Sequence, residues 1–204
     1  MQQVMLGKVS LLHKTSLPPA LRQQAPTGPR RAPWLAGRVL LSRLFFPASL
    51  PEIVYGVHGK PAFREEIPLW FNLSHSGDNI ALIVSDEGEV GCDIEEIRPR
   101  KNWRRLADSV FSAGEMQEID AEPEENQLHA FWRIWTCKEA ILKRFGNTVW
   151  QMAETDSTAV THCFISHLQI EDSLSMALCT SVPHTFSVND IIWQHGAPTS
   201  VEQN

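Results

Sequence analysis

Three runs between residues 69 and 95 decide how this chain is built: Leu69-Trp-Phe-Asn-Leu-Ser74, Asn79-Ile-Ala-Leu-Ile-Val-Ser85 and Glu89-Val-Gly-Cys-Asp-Ile-Glu95. Each is short and rich in apolar and β-branched residues, and turn formers separate them, Asp86-Glu87-Gly88 making the last turn. They predict three strands joined as a meander. In the third run, the two-residue period puts Val90, Cys92 and Ile94 on one face and Gly91, Asp93 and Glu95 on the other.

Working outward towards the N-terminus, Trp34–Phe46 is an apolar stretch with Arg38 and Arg43 interspersed and nothing to break a helix before Pro47. A loop marked by Pro18, Pro19, Pro26, Gly28 and Pro29 precedes it, and the apolar-polar alternation from Met5 to Leu12 predicts an opening strand. In the other direction comes a basic run, Arg98, Arg100, Lys101, Arg104 and Arg105, then Ser112 and Glu115 at the spacing of a helix capping box. Glu124–Phe145 carries the longest helical pattern, stopped by Gly146. His162–Ile170, Leu174–Ser181 and Thr185–Trp193 read as strands, and Gly196–Asn204 as a loose tail. Each half thus holds helix followed by strands, an α+β chain without a residue-level repeat.

The composition bounds the function. With 204 residues, 43% of them hydrophobic and 21% charged, the chain can bury a core. Its net charge of −6 argues against a general nucleic-acid binder, while leaving room for one basic patch. Apolar stretches such as Ile80–Val84 fall far short of a membrane span. Residues Met1–Lys14 lack the layout of a secretory signal, so a cytoplasmic protein is expected. Cys92, Cys137, Cys163 and Cys179 form no Cys-x-x-Cys pair and read as reduced, buried small residues.

Acidic residues stand where a core is expected. On a helical wheel of ~100° per residue, Leu128, Phe131, Trp132, Trp135 and Leu142 form one stripe, and Glu139 falls inside it. A carboxylate there must be paired, protonated or metal-bound; a Glu139–Lys143 pair on a partly exposed edge is the ordinary alternative, with Lys138 a second neighbour. Asp93 and Glu95, two apart on one strand face, favour either solvent or a hard cation. With Glu139 they offer oxygen ligands suited to magnesium rather than zinc. The turn Asn72-Leu73-Ser74-His75-Ser76-Gly77 gathers hydroxyls, an imidazole and a glycine, a set able to hold phosphate oxygens, or equally an ordinary polar turn. Neither a P-loop nor a Rossmann glycine pattern is present.

Taken in order, Gly59-Lys60-Pro61, Asn72-Leu73-Ser74-His75-Ser76, Gly91-Cys92-Asp93-Ile94-Glu95 and Trp135-Thr136-Cys137-Lys138-Glu139-Ala140 resemble the motifs of the Sfp-type phosphopantetheinyl transferases. The resemblance spans about Trp34 to Phe145. It implies an α+β pseudodimer of two similar helix-plus-antiparallel-sheet halves, residues 1–100 and 101–204, with the active site between them. It also implies magnesium on Asp93, Glu95 and Glu139, coenzyme A phosphate on Ser74 and His75, Lys60 along the coenzyme cleft, and Lys138 and Lys143 as the lysines of the final motif. Basic residues near the first helix bind the coenzyme's 3′-phosphate in the family; Arg30, Arg31 and Arg38 are the candidates here, a solvated helix face being the ordinary alternative. The implied reaction moves phosphopantetheine from coenzyme A to a serine of an apo acyl carrier protein. Glu139, a metal-bound water or a lysine of lowered pKa could accept the serine proton, so Glu139 and Lys143 are the catalytic candidates. Neither nucleic acid nor membrane is expected as a partner, and a monomer is expected. A magnesium-dependent phosphohydrolase and a noncatalytic coenzyme A or carrier-protein binding module are the competing readings.

Overall fold

A computed structural model describes residues 1–195 and shows an α+β chain. The expected tail, Gly196–Asn204, lies outside the described residues. The N-terminal part runs β1 (Gln2–Lys8), α1 (Val9–Leu12), α2 (Pro19–Gln23), α3 (Arg31–Phe45), β2 (Ile53–Tyr55), β3 (Pro61–Phe63), β4 (Trp70–Ser76), β5 (Asn79–Ser85) and β6 (Val90–Glu96). There follow α4 (Trp103–Val110), α5 (Ala113–Ala121), α6 (Glu124–Phe145), β7 (Phe164–Ile170), β8 (Leu174–Thr180) and β9 (Ile191–Gln194). Among the described residues no helix is long and apolar enough to cross a membrane.

The three runs at 69–95 are strands, but they do not form a meander. Strands β4 and β5 pair antiparallel, the other edge of β5 is taken by β1, and β6 joins β8 in a second sheet. The sheet orders are β4-β5-β1-β9 and β6-β8-β7, with β2 and β3 as a separate hairpin. The opening strand is also earlier than its alternation suggests. It pairs from Gln2 to Lys8, and the chain then coils so that Val9 and Leu12, three apart, are both buried. Asp78 fixes that bend: its carbonyl accepts the Val9 N–H, and its carboxylate accepts the Ser10 N–H and hydroxyl. Only the end of the Thr185–Trp193 run becomes strand. Val188–Asp190 forms a single 3₁₀ turn, which Ser187 caps through Asp190, before β9 pairs parallel with β1.

Side-chain alternation sorts the layers. In β5, Ile80, Leu82 and Val84 pack against Leu35, Val39 and Leu40 of α3, while Ala81 and Ile83 face the second sheet. Val90, Cys92 and Ile94 of β6 and Met176 and Leu178 of β8 meet them there. On the far side Ala177 and Cys179 pack on Ala140 and Ile141 of α6. The order is therefore α3, first sheet, second sheet, α6. All four cysteines are buried free thiols. Helix α6 ends as the sequence indicates, with Gly146 at φ 69° and the Asn147 N–H closing back on the Leu142 carbonyl at 2.8 Å.

Candidate active site

The site lies along the seam where β4 meets β6. No backbone ladder joins these strands; side chains of β4 do it instead. Asn72 Oδ1 accepts the Cys92 N–H at 2.9 Å, Ser74 Oγ accepts that of Ile94 at 3.3 Å, and Ser76 Oγ accepts that of Glu96 at 3.2 Å. Alternate residues of one strand thus satisfy alternate N–H groups on the open edge of β6. Both hydroxyls also donate, Ser74 to Asp93 Oδ1 at 2.8 Å and Ser76 to Glu95 Oε2 at 2.6 Å. Ser74 and Ser76 are buried and belong to this seam, while His75 points the other way and is exposed.

Helix α6 supplies the opposite wall, and Gly91 sets how near it comes. A Cβ on Gly91 would lie 2.1 Å from the Ala140 carbonyl oxygen and 2.5 Å from the Arg144 nitrogen, so a larger residue would push the helix off β6. The close approach lets Lys143 Nζ donate to Asp93 Oδ1 at 2.6 Å and to Ser74 Oγ at 3.0 Å. Asp93 is only 4% exposed, so the solvated strand edge is not its environment. Glu139, one turn before Lys143, has no hydrogen-bond partner among the described residues. Burial, and then the charge of Asp93, raise its carboxyl above the ordinary range, with Lys143 opposing and Glu95 adding to the rise. Glu95 is raised for the same first reason, burial, which the Ser76 hydroxyl partly offsets. Lys143 is pulled down by burial but lifted further by Asp93, and ends above its usual value. It stays an ammonium, which removes it as a proton acceptor of lowered pKa.

Beside this cluster opens a cavity of about 180 Å³ walled by His58–Pro61, Asn72, Leu73, Lys143, Gly146 and Asn147. Lys60 lines it, as the resemblance implies, but its ammonium is turned to its own chain: it pairs with Glu89 and donates to the Arg144 carbonyl at 2.7 Å. His75 has its pKa lowered by partial burial and then by the nearby Lys143 charge, which leaves the imidazole neutral at neutral pH.

Of the residues expected to bind the coenzyme, Lys60 alone is in that wall; Ser74 and His75 lie beside it in β4, and Lys138, Arg31 and Arg38 lie elsewhere. Lys138 is fully buried on another face of α6, where it pairs with Glu115 Oε2 at 2.6 Å and donates to the Thr155 carbonyl. Adjacent helix positions point about 100° apart, so the neighbour of Glu139 cannot share its site. Arg31 is exposed and donates to the Ala25 and Pro26 carbonyls, bracing the loop before α3. Arg38 is 5% exposed, stacked over the Trp34 ring at 4.4 Å and bonded to the Tyr55 hydroxyl at 2.7 Å. A solvated helix face does not describe it either. The roles of Asn72 and Gly91 went unread in the sequence, as did the pairing of Glu115 with Lys138. The signal for the first was the polar period Asn72, Ser74, Ser76 on one face of the strand.

Residues 89–186 match the 4'-phosphopantetheinyl transferase superfamily. Over nearly the whole chain there are still nearer relatives. It is 58% identical over 193 residues to the 4'-phosphopantetheinyl transferase AcpT of Escherichia coli (strain K12), covering 95% of this chain and 97% of the relative. It is 61% identical over 191 residues to the AcpT of Salmonella typhimurium (strain LT2), covering 94% and 98%. The 4'-phosphopantetheinyl transferase psf-1 of Bacillus pumilus is 29% identical over 168 residues, covering 73% of this chain and 71% of the relative. The chain belongs to the 4'-phosphopantetheinyl transferase superfamily.

Proposed function

We propose that this chain is a 4'-phosphopantetheinyl transferase, moving the phosphopantetheine arm of coenzyme A onto a serine hydroxyl of an apo acyl carrier protein and releasing adenosine 3',5'-bisphosphate. The observation that carries the reading is the meeting of Lys143, Ser74, Asp93, Glu95 and Glu139 beside a cavity walled by the Gly59-Lys60-Pro61 turn. In the serine attack on the pantetheine-side phosphate, Glu139 is the proton acceptor: it is raised in proton affinity and has no competing hydrogen bond among the described residues. Lys143 holds positive charge against the phosphate oxygens, and His75, once protonated, donates to a second phosphate. Lys60 fixes the cavity wall by tying the Gly59 turn to the end of α6.

Magnesium fits the donor set. Asp93 Oδ2 is buried and accepts no hydrogen bond, an oxygen left free for a cation. In the described arrangement Lys143 holds the other Asp93 oxygen, and among the described residues no three His, Cys, Asp or Glu side chains stand close enough to hold an ion. Asp93, Glu95 and Glu139 would hold it together with substrate phosphate and water. When bound, the ion offsets the repulsion between these carboxylates and the pyrophosphate.

The halves 1–100 and 101–204 are read as a pseudodimer with the site between them, one strand of each crossing into the other's sheet. The protein is read as a cytoplasmic monomer. Carrier proteins are acidic, and the exposed Arg100, Lys101 and Arg105, a few residues beyond Glu95, offer the complementary charge.

Intact-mass measurement of an apo carrier protein incubated with this chain, coenzyme A and magnesium tests the reading. The expected result is a gain of one phosphopantetheine, lost when the acceptor serine is replaced by alanine. Release of nucleotide without modification of the carrier would make the chain a phosphohydrolase instead.

A further inference from the structure

A mostly apolar cavity of about 840 Å³ lies away from the cluster just discussed, between α2, the C-terminal half of α3 and the segment running into β2. No residue in its wall also lines the cavity at Lys143. Leu21, Phe46, Leu50 and Ile53 give it apolar sides, and Phe46 stands 83% exposed at its rim. At its base is Arg38, whose guanidinium is stacked on Trp34 and donates to the Tyr55 hydroxyl; among the described residues no carboxylate pairs with it. Glu52 also lines the cavity, but its carboxylate is taken by Arg64 at 2.6 Å.

A buried cation without a counter-charge is costly, whereas a ring face and a phenol satisfy it only in part. Volume, apolar sides and a few convergent polar groups are the ordinary marks of a small-molecule site. We propose that this cavity is a second ligand site, taking an amphiphilic monoanion whose carboxylate meets Arg38 and the Tyr55 hydroxyl and whose apolar tail lies along Leu21, Phe46 and Leu50. One guanidinium with no second cation in the wall suits a carboxylate better than a phosphate dianion, which would leave a negative charge unmatched and face Glu52 as well. The Tyr55 hydroxyl accepts from Arg38 and keeps its own proton to donate, so two donors converge on one headgroup.

Isothermal titration of the full chain with decanoate, decyl phosphate and decanol tests this without reference to transferase activity. Decanoate is expected to bind saturably, with decanol and decyl phosphate each at least ~10-fold weaker, the scale of one charge-assisted bond. Arg38→Met should reduce decanoate affinity by a similar factor. Leu21→Trp, which fills the cavity and leaves Arg38 in place, should do the same and decides the matter if the arginine variant does not fold. Saturating coenzyme A should leave decanoate affinity unchanged. Absence of binding, equal binding of decanol, unchanged affinity in the folded variants, or displacement by coenzyme A would each overturn the proposal, the last by making the cavity part of the coenzyme cleft.

Discussion

Lys143 Nζ sits 2.6 Å from Asp93 Oδ1, while the other oxygen of the same carboxylate is buried and accepts nothing. One half of Asp93 is therefore committed to the fold and the other half is open to chemistry. Replacing Asp93 strips Lys143 of its counter-charge; replacing Glu139, which makes no hydrogen bond among the described residues, removes nothing the fold depends on.

This difference separates two variants that would otherwise look alike. Glu139→Gln should keep stability within ~1 kcal/mol of the parent and lower transfer by ~100-fold or more, the scale of a lost proton acceptor. Asp93→Ala should also lose transfer but cost about 3 kcal/mol of stability, the low end for a broken buried pair because Lys143 keeps 29% of its side chain in solvent. Urea denaturation and turnover, measured on both, check the pair. Magnesium should raise the melting temperature of the parent and not of Asp93→Ala; an equal rise in both would remove Asp93 from the metal site.

The Lys138–Glu115 pair, with both side chains fully buried, is expected to be structural. Lys138→Met leaves the Glu115 carboxylate buried beside Ser112 and Ser157 without its cation and should cost ~3–5 kcal/mol. Adding Glu115→Gln should recover part of that loss. Chemical denaturation of the single and double variants gives the coupling. If Lys138→Met is as stable as the parent and instead weakens coenzyme binding, the lysine reaches the cleft after all.

Coenzyme binding should take up a proton through His75. The free imidazole has its pKa lowered by burial and by Lys143, so it is neutral near pH 7, and a phosphate beside it favours the charged form. Affinity should then fall as pH rises through the pKa of the complex. Calorimetry in buffers of different ionisation enthalpy reads the uptake directly. His75→Gln should abolish it; uptake unchanged in that variant assigns the proton elsewhere.

The basic run divides in the structure. Arg104 pairs with Asp120 and bonds Gln127, so reversing it would break an internal contact. Lys101 and Arg105 are exposed and carry no ion pair among the described residues, which makes them the cleaner test. Lys101→Glu with Arg105→Glu should raise the carrier-protein KM several-fold at low salt and flatten its salt dependence, with coenzyme KM unchanged. Identical carrier kinetics in the double variant would move docking to another face.

What could be read in the sequence was what periodicity and local chemistry carry. Helix α6 announced both its ends, Ser112 and Glu115 their capping box, and the two faces of β6 their separate fates. Strand partners could not be read in this way. Local alternation says which way a side chain points but not which edge it will meet, so a meander was expected where β1 and β8 in fact take the edges of β5 and β6. The wheel found Glu139 but treated α6 as having one apolar stripe. The helix is wrapped by sheet on one side and by α5 and the residues after Gly146 on the other, and Lys138 was expected at the coenzyme because its actual partner, Glu115, lies 23 residues away.

The exchange of strands has a consequence for how the chain comes off the ribosome. Strand β1 is made first, yet one of its edges is covered only by β9, at residues 191–194, and β6 waits for β8, at 174–180. Neither sheet can close before residues 174–194 have been made, so β1 and β6 carry open strand edges until then. Completion of the fold is thus tied to residues 174–194, and a chain cut short before β9 would present an open edge of β1 to whatever it met.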